Sequence, residues 1–251
     1  MAQKEPTRSD FTDRYKFAAD DTYPSSEKLY DWELGYQYTA PRLSLGVNLY
    51  YMKYKDQLVP TGMVNDDSNA LNTNVPDSYR RGVELSASWR ATGWFTVGAN
   101  ATFSQNRIEN YVDALKDSPT YGKELGDMTI AYSPDVIANA FLNFHHRGFE
   151  AVFHTQHVGK QYFTNNENDA LSLDAYCVTN LNLAYTFRTR SARSVRLGLL
   201  INNLFNAEYE SNGYGYSYMD TWSGPAPVRI DEAYYFPQAP LNVLANVTVK
   251  F

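Results

Sequence analysis

Apolar and polar residues alternate one for one along nine separate stretches of this sequence, and the last of them closes the chain. In that closing stretch Leu241, Val243, Ala245, Val247, Val249 and Phe251 fall on one face. Asn242, Asn246, Thr248 and Lys250 fall on the other, with Leu244 as the exception. A period of two marks a β-strand with one face kept away from water. The same pattern predicts a first strand over 27–40, with Trp32, Leu34, Tyr36 and Tyr38 opposite Glu33, Gly35 and Gln37. A second runs over 42–58, carrying Leu43, Leu45, Val47, Leu49 and Tyr51 on one face. A third covers 77–90 (Val83, Leu85, Ala87 and Trp89 against Gly82, Glu84, Ser86 and Ser88) and a fourth covers 94–109. Val136 to Phe144 forms a fifth, Phe149, Ala151 and Phe153 open a sixth, 173–188 is a seventh, and Val195, Leu197, Leu199 and Ile201 mark an eighth.

The connections follow a rule of their own. Short turns fall at Ala40-Pro41-Arg42, at 91–93, at His146-Arg147-Gly148 and at 189–193. Between them lie long loops over 60–76, 110–135, around Asn165 to Asp169, and 207–239. Residues 1–26, polar and carrying Pro6 and Pro24, read as a further loop. Turns on one side and loops on the other is the layout of an outer-membrane barrel, whereas Greek-key returns break such regularity in a sandwich. The predicted fold is therefore all-β: residues 27–251 form part of an antiparallel up-and-down transmembrane β-barrel, and residues 1–26 an extracellular loop. By parity the first strand runs inward and Phe251 ends at the periplasmic rim. Nine strands is an odd number, and single-chain bacterial barrels have even counts. Further strands must close the sheet, or an edge is left exposed.

Composition sharpens this picture. Aromatic residues make up 15% of the chain, led by 21 Tyr. Mean hydropathy is −0.49, and no apolar run approaches the ~18 residues of a spanning helix. A helical membrane protein is excluded; a barrel is not, because its lipid-facing and lumen-facing residues average out. The net charge of −6, with no offsetting run of Lys and Arg, argues against a nucleic-acid partner. The single Cys177 excludes an intrachain disulfide. The first ten residues hold no apolar segment of the kind that directs export, so an outer-membrane chain of this sequence is expected to be a piece of something longer.

Several stretches resemble the C-terminal half of a TonB-dependent outer-membrane receptor. Lys4-Glu5-Pro6-Thr7-Arg8 is similar to the family's motif in an outside loop, and Leu29 to Tyr36 to the strand that follows it. Asn74 to Leu85 contains the family's Arg-Gly-x-Glu pattern at Arg81, Gly82 and Glu84. The most specific match is Ile201-Asn202-Asn203-Leu204-Phe205-Asn206-Ala207-Glu208-Tyr209 together with Tyr235 to Pro240 and the terminal Phe251. The resemblance implies a barrel of about twenty-two strands closed by an N-terminal plug, of which these nine would be the last. It also implies energy-coupled uptake of a scarce ligand such as a ferric siderophore, haem or cobalamin. TonB would be contacted only through the N-terminal part, so this chain alone should not transport.

Three groups of residues are candidates for function. Tyr214, Tyr216, Tyr218 and Trp222 lie in an aromatic, glycine-flexible outside loop and either stack on a ligand or line the loop base. Arg80, Gly82 and Glu84 share a strand face by parity and either point into the lumen toward the plug or sit at a solvated strand end. Phe251, Val249 and Val247 either anchor at the interface or, as the resemblance implies, form the signal read by the outer-membrane assembly machinery. His145, His146, His154 and His157 point apart on their strands, so no metal site is expected. No nucleophile elbow, phosphate loop or paired carboxylates occur, so neither an enzyme nor a cofactor is expected. Two rivals stay open. One is a small self-contained or oligomeric outer-membrane barrel such as a porin or adhesin; the other is a soluble β-sandwich such as a carbohydrate-binding module. The modest loops favour a metal chelate or similarly small ligand over a large glycan.

Overall fold

A computed structural model describes residues 1–12, 23–65 and 69–251. Its elements are β1 (Ala2–Lys4), a one-turn helix α1 (Arg8–Thr12), β2 (Glu27–Thr39), β3 (Leu43–Val64), β4 (Ala70–Arg90) and β5 (Phe95–Ile108). There follow β6 (Met128–Thr129), β7 (Val136–His146), β8 (Phe149–Val158), β9 (Gln161–Tyr162) and β10 (Ser172–Leu173). The chain ends with β11 (Tyr176–Phe187), β12 (Ser194–Asn202), β13 (Glu210–Asp220), β14 (Val228–Pro237) and β15 (Asn242–Lys250).

The nine anticipated strands are β2, β3, β4, β5, β7, β8, β11, β12 and β15, hydrogen-bonded in that order into one antiparallel sheet. Cross-strand register places like with like on each face. One row runs Leu43, Trp89, Val97, Leu142, Phe153, Leu181, Ile201 and Val243 across eight strands without a polar side chain. The row starts at the turn end of β3 and finishes at the loop end of β12 and β15. This is the stagger that tilted strands need to curl into a barrel. The reverse face carries Glu33, Asn48, Glu84, Thr102, Asn100, Asn139 and Gln156 on neighbouring strands. Leu244, the exception in the closing pattern, lies on that polar face opposite Leu200.

The apolar face is not covered within the described residues. Leu34 is 70% exposed, Trp32 57% and Val247 65%. An apolar surface this broad greatly exceeds what a soluble monomer leaves in water. Tyr79 and Trp89, both on the apolar face of β4, are ten residues apart. That separation is about 33 Å of strand at ~3.3 Å per residue, and a tilt of about 40° lays it over about 25 Å, the height of a lipid-facing band. The sheet is not closed. β15 pairs with β12 on one side only, and the outer edge of β2 pairs only with β1, through Glu27 to Leu29.

The connections depart from expectation in three places. The loop over 60–76 is largely strand: β3 and β4 continue past Asp77 as a ribbon pairing Gln57 with Val75 and Pro60 with Asn72, with a register shift between Pro60 and Val64. Asn74, read as loop composition, donates from its amide to the Asp56 carbonyl at 2.6 Å and accepts from the Ser25 amide at 2.8 Å, so it ties backbone rather than ending a strand. Residues 66–68 of that loop lie outside the described residues. The loop over 207–239 is a β-hairpin of β13 and β14, in register from Gly213–Tyr235 to Asp220–Val228. Within 1–26, β1 adds to the edge of β2, and α1 begins where the Thr7 amide donates to the Asp10 carboxylate at 2.7 Å. Residues 13–22 of that segment also lie outside the described residues.

The two clusters of buried apolar residues lie toward the end of the sheet that carries the long connections. Val59, Val75, Ile108, Tyr111 and Ile130 form one small core; Phe163, Leu171 and Leu173 form a second.

Candidate functional site

The β13–β14 hairpin has two unlike faces because β13 alternates glycine or small residues with tyrosine. Gly213 and Gly215 point at the second core. A Cβ on Gly215 would lie 2.9 Å from both Leu171 and Phe163, and one on Gly213 would lie 2.7 Å from the Phe163 ring. The glycines are therefore a steric requirement of a packed strand, which corrects their reading as flexible loop residues. Ser217 and Met219 continue that buried face.

The other face gathers Tyr214, Tyr216 and Tyr218 from β13 with Tyr234 and Glu232 from β14. Tyr214 stacks on Tyr234 with ring centroids 4.9 Å apart, and Tyr218 lies nearly parallel to Trp222 at 6.4 Å. The hydroxyls of Tyr216, Tyr234 and Tyr218 donate to the Glu232 carboxylate at 2.7, 2.8 and 3.3 Å. Those donors, Tyr216 first and then Tyr234, hold the Glu232 carboxyl below its ordinary range, while the same carboxylate pushes the Tyr216 phenol up. The result is an aromatic platform built around an anchored carboxylate, with Asp220 held by the Trp222 and Ser223 amides at its tip. Tyr234 and Glu232 were not singled out from the sequence. Ile230-Asp231-Glu232-Ala233-Tyr234-Tyr235 carries no alternation that would mark them; only their register with 213–218 does.

Asparagines hold this platform in place. After β12 the chain turns at Asn203, whose backbone takes a positive φ of 51°. The Asn203 side chain accepts from the Ala207 amide at 2.8 Å and donates to the carbonyls of Ala207 and Ala239. Asn206 accepts from the Leu241 amide at 2.9 Å. The Asn-Asn-Leu-Phe-Asn stretch thus clamps both ends of the excursion so that β15 enters in register with β12. Asn165 is fully buried. It accepts from the Ala131 amide at 2.7 Å and donates to the Pro60 carbonyl at 2.6 Å, joining three connections. Burial opposes ionisation of neighbouring Glu167, but the Thr129 hydroxyl and amide and the Arg107 guanidinium outweigh it and hold that carboxyl below its ordinary range.

Arg80, Gly82 and Glu84 share the polar face of β4. Arg80 and Glu84 border a recess of about 350 Å³ also lined by Glu33, Asn48 and Tyr50. Arg80 donates to Ser133 Oγ at 2.9 Å, while Asn48 Nδ2 bridges Glu33 and Glu84 at 3.2 Å to each, and among the described residues no ion pair joins Arg80 to Glu84. Gly82 lies beneath the Tyr50 ring, whose hydroxyl would be 2.6 Å from an added Cβ. Arg81 is on the opposite face, where it donates to Gln105 at 2.8 Å. Val247 and Val249 stand on the apolar face opposite Leu197 and Val195, and Phe251 follows β15, 93% exposed.

The sequence profile of TonB dependent receptor-like β-barrels matches residues 8–204. Among solved structures, the copper transporter OprC is similar over 98% of this chain and 35% of its own, with 19% identity and a TM-score of 0.67. The ferric yersiniabactin uptake receptor FyuA from Yersinia pestis is similar over 90% of this chain and 30% of its own, with 19% identity and a TM-score of 0.63. The closed form of the ferric-catecholate import receptor Fiu from E. coli K12 is similar over 98% and 31%, with 16% identity and a TM-score of 0.64. At these identities the likeness is one of fold. The chain spans about a third of the length of each of these structures.

Proposed function

Because this chain belongs to the TonB-dependent receptor family, whose members are outer-membrane transport receptors, we propose that it forms the C-terminal part of the barrel in an energy-coupled importer of a small, scarce ligand such as a metal chelate. The observation that carries this reading is the open sheet of nine strands with one continuous apolar face, one polar face and its longer connections gathered at one end. The apolar face meets lipid, and the polar face with Arg80 and Glu84 looks toward the lumen and an N-terminal plug. The longer connections stand outside the cell and the short turns in the periplasm. β15 closes the barrel against the first barrel strand, and its Val247, Val249 and Phe251 present the edge to the assembly machinery. By itself the segment has no partner for that edge and does not transport. TonB acts through the N-terminal part of the receptor.

In the full-length receptor with Cys177→Ser, a cysteine at Ser223 is labelled by a membrane-impermeant maleimide on intact cells, and one at Arg147 only after lysis. The reverse pattern would invert the proposed orientation.

The hairpin platform is the ligand-contacting part of this segment. A stacked ring contributes about 0.5–1.5 kcal/mol beyond its buried area, so Trp222→Ala in the full-length receptor should weaken binding about tenfold at unchanged surface levels. Titration of a panel of ferric chelates against intrinsic tryptophan and tyrosine fluorescence measures this. Equal affinities for variant and parent across every chelate that binds would remove the platform from the ligand site.

A further inference from the structure

We propose that the β13–β14 hairpin selects a ligand of net positive charge, such as a cationic metal chelate, a reading that rests on the hairpin being the ligand-contacting part of this segment. Strand pairing sorts the charges of residues 207–239 onto separate faces. The segment holds five carboxylates and a single cation, Arg229. Arg229 shares the face of Ser217 and Met219, where its guanidinium donates to Asp231 at 2.8 Å and to Ser217 Oγ at 3.1 Å. The tyrosine face keeps Glu232, with Asp220 at its tip, and has no Lys, Arg or His along either strand.

This face is rich in ring surface, and its donors are spent. Phe236, Tyr214, Tyr234, Tyr216, Tyr218 and Trp222 follow one another with neighbouring ring centroids 4.9 to 6.5 Å apart. The hydroxyl hydrogens of Tyr216, Tyr218 and Tyr234 are committed to Glu232, and the Trp222 and Ser223 amides to Asp220. An anionic ligand would meet two carboxylates with those donors already taken. A cation meets carboxylates and the negative faces of aromatic rings, which attract it within about 6 Å of the ring centre. A phenol that donates to a carboxylate is polarised toward phenolate, which makes its ring face more negative still.

The charge of the whole chain is arranged to the same effect. Of its 22 Lys and Arg, eight stand at the end of the wall that carries the short turns: Arg42, Arg90, Arg147, the four arginines of Arg188 to Arg196, and Lys250. Of its 28 Asp and Glu, only Glu150 stands there, paired with Arg196. Fourteen cations and twenty-seven carboxylates are left for the rest of the chain. The end that carries the hairpin is therefore the acidic one, and its field draws cations and repels anions before contact is made.

The test titrates the full-length receptor with one ferric linear trihydroxamate in three forms, with binding read from intrinsic fluorescence. A free terminal amine makes the chelate singly positive, N-acetylation makes it neutral, and N-succinylation makes it singly negative. The parent is expected to bind the positive form about tenfold more tightly than the neutral one and about a hundredfold more tightly than the negative one, with the preference shrinking as salt is raised. Glu232→Gln keeps an acceptor for the tyrosine hydroxyls and should weaken the positive form about tenfold while leaving the neutral form within about twofold. Asp220→Asn keeps the acceptor for the two amides and should act in the same direction by about threefold, which separates loss of charge from loss of the hairpin's fold. Tighter binding of the neutral or negative form, no binding of the positive form, or equal losses for all three forms in both variants would each overturn the proposal. Trp222→Ala separates the two readings. If it weakens whichever form binds best and that form is not the positive one, the platform stands and only the charge class falls; if it changes none of the three, both fall.

Discussion

Arginine in place of Leu85 destabilises the membrane-inserted receptor by about 2–4 kcal/mol, whereas arginine at the next residue, Ser86, is expected to shift stability by less than about 1 kcal/mol. The two positions are consecutive on β4 and differ only in the face they occupy. Leu85 stands between Val47 and Ala101 in the apolar band, 43% exposed and well inside the Tyr79–Trp89 span. A guanidinium there must enter hydrocarbon or snorkel past several residues to reach water. Ser86 stands between Gly46 and Asn100 on the polar face, where a long cation is solvated by a wet lumen. Urea titration of the full-length receptor refolded into phosphatidylcholine vesicles measures both. Equal losses at the two positions would mean that the sheet packs both faces alike, as a sandwich does, and would refute the assignment of lipid and lumen.

Asn165→Leu is expected to loosen the connections that carry the hairpin. The substitution keeps the volume roughly constant but leaves the Ala131 amide and the Pro60 carbonyl without their partner inside a buried site. A buried polar group stripped of its partner costs about 1–3 kcal/mol, so two such groups cost about 2–6 kcal/mol in local stability. Its neighbour Phe163 contacts Gly213 and Gly215 and lies 5.8 Å, ring to ring, from Tyr235, so the disturbance should reach the aromatic platform. Hydrogen exchange in the full-length receptor should show the Ala131 amide and β13 exchanging at least tenfold faster, while β7 and β8 keep their protection. Unchanged exchange at Ala131 would mean that the asparagine bridges are not what holds the connections together. Slower binding of the chelate with intact surface display would follow from the same loosening.

The cations on the apolar face of β2–β5 show how strand register gathers residues distant in sequence. Lys28 and Arg81 are more than fifty positions apart, yet Lys28 is paired with Lys55 across β2 and β3, and Arg81 with Tyr51 across β3 and β4. Charge counted along the chain misses the grouping because an antiparallel sheet brings together residues related by register, not by proximity in sequence.

The sequence by itself determined the wall. Alternation at Leu43 to Tyr51, Val83 to Trp89 and Leu241 to Phe251 separates the two faces, because each β residue takes the side opposite to its neighbour and the medium on each side selects it. The spacing of the turns determined strand order and direction as well, and the parity that put Arg80, Gly82 and Glu84 on one face holds in the structure. Only the tertiary structure decided what the longer connections are. Gly213 and Gly215 read as flexibility because the atoms that exclude a side chain there belong to Phe163 and Leu171, more than forty residues away. Asn165 read as loop filler because its partners are Ala131 and Pro60. Lipid or water on one side of a strand acts on every residue in turn and leaves a period in the sequence. A single steric or hydrogen-bonded contact between distant segments acts on one residue and leaves none.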